Sequence, residues 1–318
     1  MTQTSGTFSS YDAKGIREDL EDMIYDISPT ETPFVRAIER VKADNTFHEW
    51  QTDALASADK DNAAVEGDEV TADAITATAR VGNYTQILDK TIIVTSTQRA
   101  VRTAGRKDEL AYQVAKAGRE IKRDIEAAIS QNNHALAGDD ATARKLGGAE
   151  VWIGTNDQNG SGGSTTVTSS GAPTATKLTD GTQRVFTEDL FSAGISAAWD
   201  QGGSPTLVLA GSFNKRKIST FTGNATKTID MSEQELVAGV DVYISDFGRH
   251  RIVPSRFVRT RTVLGIDPEY WAVAVLQPMK TEPLAKIGHH ERRMLSTELT
   301  LVCRNEKASF KVADLTTS

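Results

Sequence analysis

Asp108–Gly138, DELAYQVAKAGREIKRDIEAAISQNNHALAG, decides how the rest of the chain is read. Leu110, Val114, Ile121, Ile125 and Ile129 are spaced four, seven, four and four apart, one stripe on one long helix. Asp108 has the chemistry of an N-cap and Gly138 that of a left-handed stop, which predicts a rod over 108–137. At about 1.5 Å per residue it would approach 45 Å. Arg119, Lys122 and Arg123 fall on the polar side. Gly118, near the middle, costs about 1 kcal/mol relative to Ala and suggests either a crowded packing point or a bend. A helix with one thin apolar stripe needs something to lie against.

The segment before it has little core of its own. Thr46–Thr52 has strand character, with Phe47 and Trp50 supplying aromatic weight, and Tyr84–Ser96 is rich in Ile, Val and Thr. Paired, they predict a long ribbon, and a two-stranded ribbon is marginal alone in water. Between them, Asp53, Asp59, Asp61, Glu66, Asp68, Glu69 and Asp73 face only Lys60 and Arg80. This segment reads either as a solvated, flexible loop or, since so long a loop is usually functional, as an acidic finger that docks on a basic surface. Basic residues cluster elsewhere, at Arg119, Lys122 and Arg123, at Lys215–Lys217, at Arg249–Arg261, and at Arg292 and Arg293. Opposite patches at opposite ends of a tile favour head-to-tail contacts that close into rings. Exposed pairs are worth about 0–1 kcal/mol each, so charge would set register and apolar contact would supply affinity.

Upstream, Ile16, Leu20, Met23, Ile24 and Ile27 form a helical stripe, ended by Ser28-Pro29. That is a short amphipathic helix on an extended arm. Downstream, Thr155–Thr182 is Gly/Ser/Thr-rich and predicts a loop or weak hairpin. A mixed body follows. Helices are expected at Thr187–Trp199, with Thr187 as cap, and at Phe213–Phe221. Strands are expected at Pro205–Ala210, Val240–Phe247, Arg251–Val253, Phe257–Val263, Tyr270–Leu276 and Met294–Cys303, with Ala308–Val312 pairing back on the last. The fold class is α+β.

Chemistry is hard to find. With 318 residues, 38% hydrophobic and 25% charged, the chain has an ordinary folded composition; a net charge of -7 argues against general nucleic-acid binding. The single cysteine, Cys303, excludes a disulfide framework and reads as a small buried group. No signal-peptide pattern occurs near Met1, and the longest apolar run, Trp271–Leu276, is far short of a membrane span. There is no nucleophile elbow, no P-loop, and no pair among the five histidines with zinc spacing. Asp157–Ser161 begins like a calcium loop with Gly162 at its sixth place, but the twelfth is Thr168 rather than Glu, so a polar turn is expected. No catalytic residue, cofactor or metal is expected. Three classes are carried forward: a self-assembling shell protein, a compartment shell of the encapsulin kind, and an enzyme on an α+β body.

The order of parts, with Ser28–Phe34 (SPTETPF), Asp200–Thr206 (DQGGSPT), Lys217–Phe221, Val240–Gly248 (VDVYISDFG), Leu276-Gln-Pro and Glu282–Gly288, resembles the HK97-fold major capsid proteins of tailed bacteriophages. The resemblance spans about residues 11 to 315. It implies an N-arm (1–43), an E-loop hairpin (44–102), a P-domain (103–184 and 277–318) containing a spine helix (108–137), and an A-domain (185–276). It further implies hexamers and pentamers closed into an icosahedral shell around double-stranded DNA, in a virion assembled in the host cytoplasm. Portal, scaffold and decoration proteins would be partners, and a membrane would not. Because the arm motif lies near Met1, a separate scaffold or none is expected. Glu66, Asp68 and Glu69 on the finger, Arg119, Lys122 and Arg123 on the rod, and Ile16, Leu20 and Ile24 on the arm become candidate intersubunit contacts, with Gly118 a candidate hinge.

Overall fold

A computed structural model describes residues 31–53, 55–63, 66–67, 69, 75, 77–101, 108–165, 177–221 and 241–317. The arm stripe with Ile16, Leu20 and Ile24 lies outside the described residues, as does Asp68. In chain order the helices are α1 (Pro33–Ala37), α2 (Ser96–Ala100), α3 (Glu109–Ser130), α4 (Ala149–Trp152), α5 (Glu188–Asp200) and α6 (Ser212–Ile218). The strands are β1 (Glu39–Lys42), β2 (Phe47–Thr52), β3 (Ala79–Tyr84), β4 (Gln86–Thr95), β5 (Asp157–Gln158) and β6 (Leu207–Ala210). They continue with β7 (Val242–Ser245), β8 (Gly248–Pro254), β9 (Val263–Ile266), β10 (Trp271–Pro283), β11 (His290–Cys303) and β12 (Phe310–Val312).

Two sheets carry the body. The first runs β1-β10-β11-β4, with β1 parallel to β10 and the other pairs antiparallel. The rod α3 packs on one face, burying Ile121, Ile125 and Ile129 against Trp271, Leu295, Leu299 and Leu301. Phe34 of α1 joins this core edge-on to Trp271, the ring centroids 5.9 Å apart. The second sheet runs β5-β12-β9-β6-β8-β7, with α5 and α6 enclosing Phe186, Phe191, Ile195, Ile218, Tyr243 and Phe310. The ribbon β2–β3 forms a separate two-stranded sheet.

Several expectations are corrected. The rod is real and Asp108 caps it, its side chain accepting from Leu110 N at 3.0 Å, but it ends at Ser130 rather than Ala137. Three consecutive amides end it. Gln131 donates to Phe257 O, Asn132 exchanges two bonds with Leu178, and Asn133 donates back to Ala128 O, satisfying a helix-end carbonyl. Gly138 is left-handed (φ 73°), but it serves a later turn whose Asp139 carboxylate accepts from Ala141 N and Thr142 N.

The ribbon's return strand is Ala79–Tyr84, not Tyr84–Ser96. Gln86–Thr95 is β4 and pairs with β11 in the body. Likewise β12 pairs with β9 and β5, because β11 already has β10 on one side and β4 on the other. Phe257–Thr262 turns rather than extends, with Ser255 Oγ accepting from Phe257 N and Val258 N, and β9 begins at Val263. The would-be calcium loop begins as strand β5. Cys303 is buried in β11, and the Thr155–Thr182 excursion is closed at its foot by an antiparallel bridge between Ser164 and Thr179.

Candidate assembly surface

The finger leaves the body through β2 and β3. Its described residues beyond the ribbon are exposed, with Leu55 at 99% and Ile75 at 97%. Glu66 and Glu69 are exposed there too. Along the ribbon, Phe47 stacks on Tyr84 at 4.5 Å, and Arg80 pairs with Glu49 across the strands. The ribbon engages the body's core part-way along, where Trp50 packs on the buried Trp152 of α4 at 5.4 Å and Val81, opposite Trp50, is buried.

That root is densely bonded. Asn83 is fully buried; its amide donates to Gly147 O (3.1 Å) and Leu301 O (2.8 Å) and accepts from Gly147 N (2.8 Å). Thr85, also fully buried, ties the two legs together through its N–H to Thr46 O (2.8 Å) and donates Oγ1 to the Glu298 carboxylate (2.6 Å). Arg144 donates Nε to Thr85 O at 2.8 Å and pairs with the same Glu298 carboxylate. Loop 131–148 and strand β11 thus grip the finger from both sides.

On the rod, Arg119 and Lys122 are exposed, whereas Arg123 is half-buried with its guanidinium 6.0 Å from the Phe257 ring centroid. The three share a helix side, but the third is engaged with its own body. Beside the first half of α3 lies a groove of about 570 Å³, lined by Lys90–Thr95 and by Gln98, Glu109, Gln113, Lys116, Ala117 and Glu120. Its charges are mixed and partly paired, with Lys90 on Asp124 at 3.0 Å and Lys116 near Glu120 at 3.9 Å. The sheet's other face is open at β4, where Ile87 (60% exposed) and Ile93 (56%) alternate with Asp89, Thr91 and Thr95. β4 is also a sheet edge, the kind of feature that folded proteins cover or use for pairing.

Inside, ionisable groups serve the architecture. Glu126 is fully buried and its carboxylate accepts from Phe34 N (2.8 Å) and Val35 N (2.9 Å), tying α1 to the rod; burial nonetheless pushes its pKa up. Glu150 is raised by burial against the pull of Arg259. Arg259 also clasps Asp180 with two contacts of 2.7 Å, and Arg261 bonds Gly181 O and the buried Asp314. Lys311, wholly buried on β12, donates to Glu150 O and Thr165 Oγ1, and burial pushes its ammonium down to about 8. Together these groups hold both legs of the Thr155–Thr182 excursion. Among the described residues no group of three His, Cys, Asp or Glu is placed to hold a metal ion, and no helix is long and apolar enough to cross a membrane.

A family model described as SU10 major capsid protein matches residues 1–316. The chain belongs to that family. It is 29% identical over 340 residues to the major capsid protein of Escherichia phage Phieco32, with 95% of each chain covered. Among solved structures it is similar to one from Mycobacterium phage Bobi (13% identity, TM-score 0.61, 96% of this chain and 98% of that one). A capsid of a native GTA particle (9%, 0.63, 96% and 98%) and the mature capsid of bacteriophage PhiM1 (11%, 0.60, 100% and 97%) share the fold as well. The fold is therefore the HK97-type capsid fold, and the chain is a structural capsid protein rather than an enzyme. The compartment-shell reading is not favoured, since family and curated relative are both phage capsid proteins.

Sequence reasoning found the acidic finger and the rod but missed two features. One is the root bonding at Asn83, Thr85, Arg144 and Glu298, whose partners are too far apart in sequence to leave a local signal. The other is the open β4 face, for which the alternation of Ile87, Asp89, Thr91, Ile93 and Thr95 was available.

Proposed function

We propose that copies of this chain form hexamers and pentamers that close into an icosahedral phage head around double-stranded DNA. In this reading each finger lies across the rod and body of the next copy, acting as the E-loop. The rod acts as the spine helix of a P-domain, and residues 185–276, which supply β6 to β9 of the six-stranded sheet, form most of the A-domain. The observation that carries the reading is the finger itself. On it Leu55 and Ile75 are almost wholly exposed, and the acidic Glu66 and Glu69 are exposed as well. Burying each apolar side chain on a neighbour would contribute about 1.5–3 kcal/mol, whereas each exposed charge pair adds about 0–1. Apolar contact thus gives the affinity, and Glu66, Asp68 and Glu69 facing Arg119, Lys122 and Arg123 set the register.

The arm stripe of Ile16, Leu20 and Ile24 docks on a neighbour in the same scheme, and Gly118 lets the rod bend as the shell changes shape. Portal, scaffold and decoration proteins complete the particle, which is assembled in the host cytoplasm. Replacing Glu66, Asp68 and Glu69 together by Lys tests the finger contact. The variant subunits should fold with wild-type circular dichroism but give few closed particles by electron microscopy. A normal particle yield refutes the contact. Packaged double-stranded DNA in purified particles separates a phage head from a cargo compartment.

A further inference from the structure

The finger's root carries far more bonding than a hinge needs. Asn83 is the penultimate residue of β3, just before the chain enters β4, and all three of its amide bonds reach the body, to Gly147 on one side and to the carbonyl of Leu301 on the other. Two residues on, Thr85 bonds the ribbon's other leg through Thr46 O and reaches the carboxylate of Glu298 in β11. Arg144 closes the ring, donating to Thr85 O while neutralising Glu298, which is only 5% exposed. Leu146 N adds a bond to Gln86 Oε1 at 3.3 Å, just past the root.

Swinging the ribbon about its root would strip these partners all at once. It would cost the buried carbonyls of Gly147 and Leu301, the buried N–H of Gly147 and the buried Glu298 carboxylate one hydrogen bond each, and would strand the Asn83 amide. Buried networks of this kind are all-or-none, because every member loses when one moves. Further out, the facing pair Trp50 and Val81 still touches the body, Val81 buried and Trp50 packed on Trp152; beyond that pair Gln51 and Arg80 are exposed.

We infer that Asn83, Arg144 and Glu298 are positioning residues that aim the finger before any neighbour arrives, so that a lone subunit already presents it in a fixed direction. The inference rests on the finger being an intersubunit contact and adds where its direction is set. Pre-aiming lowers the ordering cost that association would otherwise bear. It also confines any adjustment between non-equivalent neighbours to the part of the finger beyond the Trp50–Val81 pair.

Distance measurement on the unassembled subunit tests this without requiring assembly. Spin labels at Gln51→Cys, on the exposed side of β2, and at Lys122→Cys, on the rod, report the ribbon's direction; the native Cys303 is buried. The wild type should give one narrow distance distribution. Arg144→Ala, which removes both the Thr85 bond and the charge facing Glu298, should broaden it about twofold while circular dichroism is unchanged. Thr85→Val, nearly isosteric, gives a second reading should Arg144→Ala fail to fold, and Arg144→Lys, which keeps the charge, should recover part of the narrowness. Equal widths in the folded variants and the wild type overturn the clamp. Because no neighbour is present, that outcome is separate from the particle yield of the Glu66, Asp68 and Glu69 variant.

Discussion

Replacing Lys311 by Met probes the buried charge beneath the Thr155–Thr182 excursion. Lys311 is wholly buried on β12, with Nζ bonded to Glu150 O and Thr165 Oγ1. Burial pushes its pKa from the ordinary 10.5 to about 8, against the pull of Asp157, Glu150, Glu306 and Asp314. At about 1.4 kcal/mol per tenfold change in proton affinity, that gap is worth about 3 kcal/mol. Because the folded value is depressed, the unfolded chain holds the proton more tightly between pH 8 and 10.5. Wild-type stability from this group should therefore rise with pH through that window and stay level below it. Urea unfolding of the unassembled subunit from about pH 7 to 10.5, wild type against Lys311→Met, isolates the term. Tyr243, pushed up to about 12 chiefly by burial, is common to both proteins and cancels in the difference. The expected result is a wild-type minus variant difference that climbs by about 3 kcal/mol across the window. A difference that stays flat refutes the buried-ammonium account.

Two substitutions test the packing. Gly118→Ala should raise the unfolding free energy by about 1 kcal/mol, because a methyl there would meet only Leu295 Cδ2 at 3.8 Å; a loss of stability would show that the rod needs glycine there for its shape. Gly265→Ala on β9 places a carbon 2.0 Å from Phe310 Cε1, with the ring walled in by the second core. It should cost about 1–3 kcal/mol or more by thermal unfolding, and wild-type stability would mean that Phe310 can move aside.

The rod was legible because Ile121, Ile125 and Ile129 mark one helical face whatever lies opposite. Its end was not, because Gln131 and Asn132 find their partners at Phe257 and Leu178, distant in the chain. The absence of known catalytic patterns was also readable, and the family comparison agrees with a structural protein. Strand partners were not readable. The alternation of Gln86–Thr95 is the same whether its neighbour is the ribbon or β11, so the ribbon's second leg was placed one strand too late. In the candidate contact surface, Glu66 and Glu69 lie exposed as their composition suggested, whereas Arg123 is drawn onto Phe257. Nothing local in Ala308–Val312 marks Lys311 as buried, since Glu150 and Thr165 come to it only through the fold.

The bridge between Ser164 and Thr179, with Arg259 on Asp180 and Arg261 on Gly181, closes the stretch between them at its neck. A loop sealed at its neck is insulated from its own length, since closing a longer one costs only slightly more. Insertions or deletions between Ser164 and Thr179 are thereby decoupled from the sheet that carries β12, so this neck can tolerate changes of length that the strands on either side of it cannot.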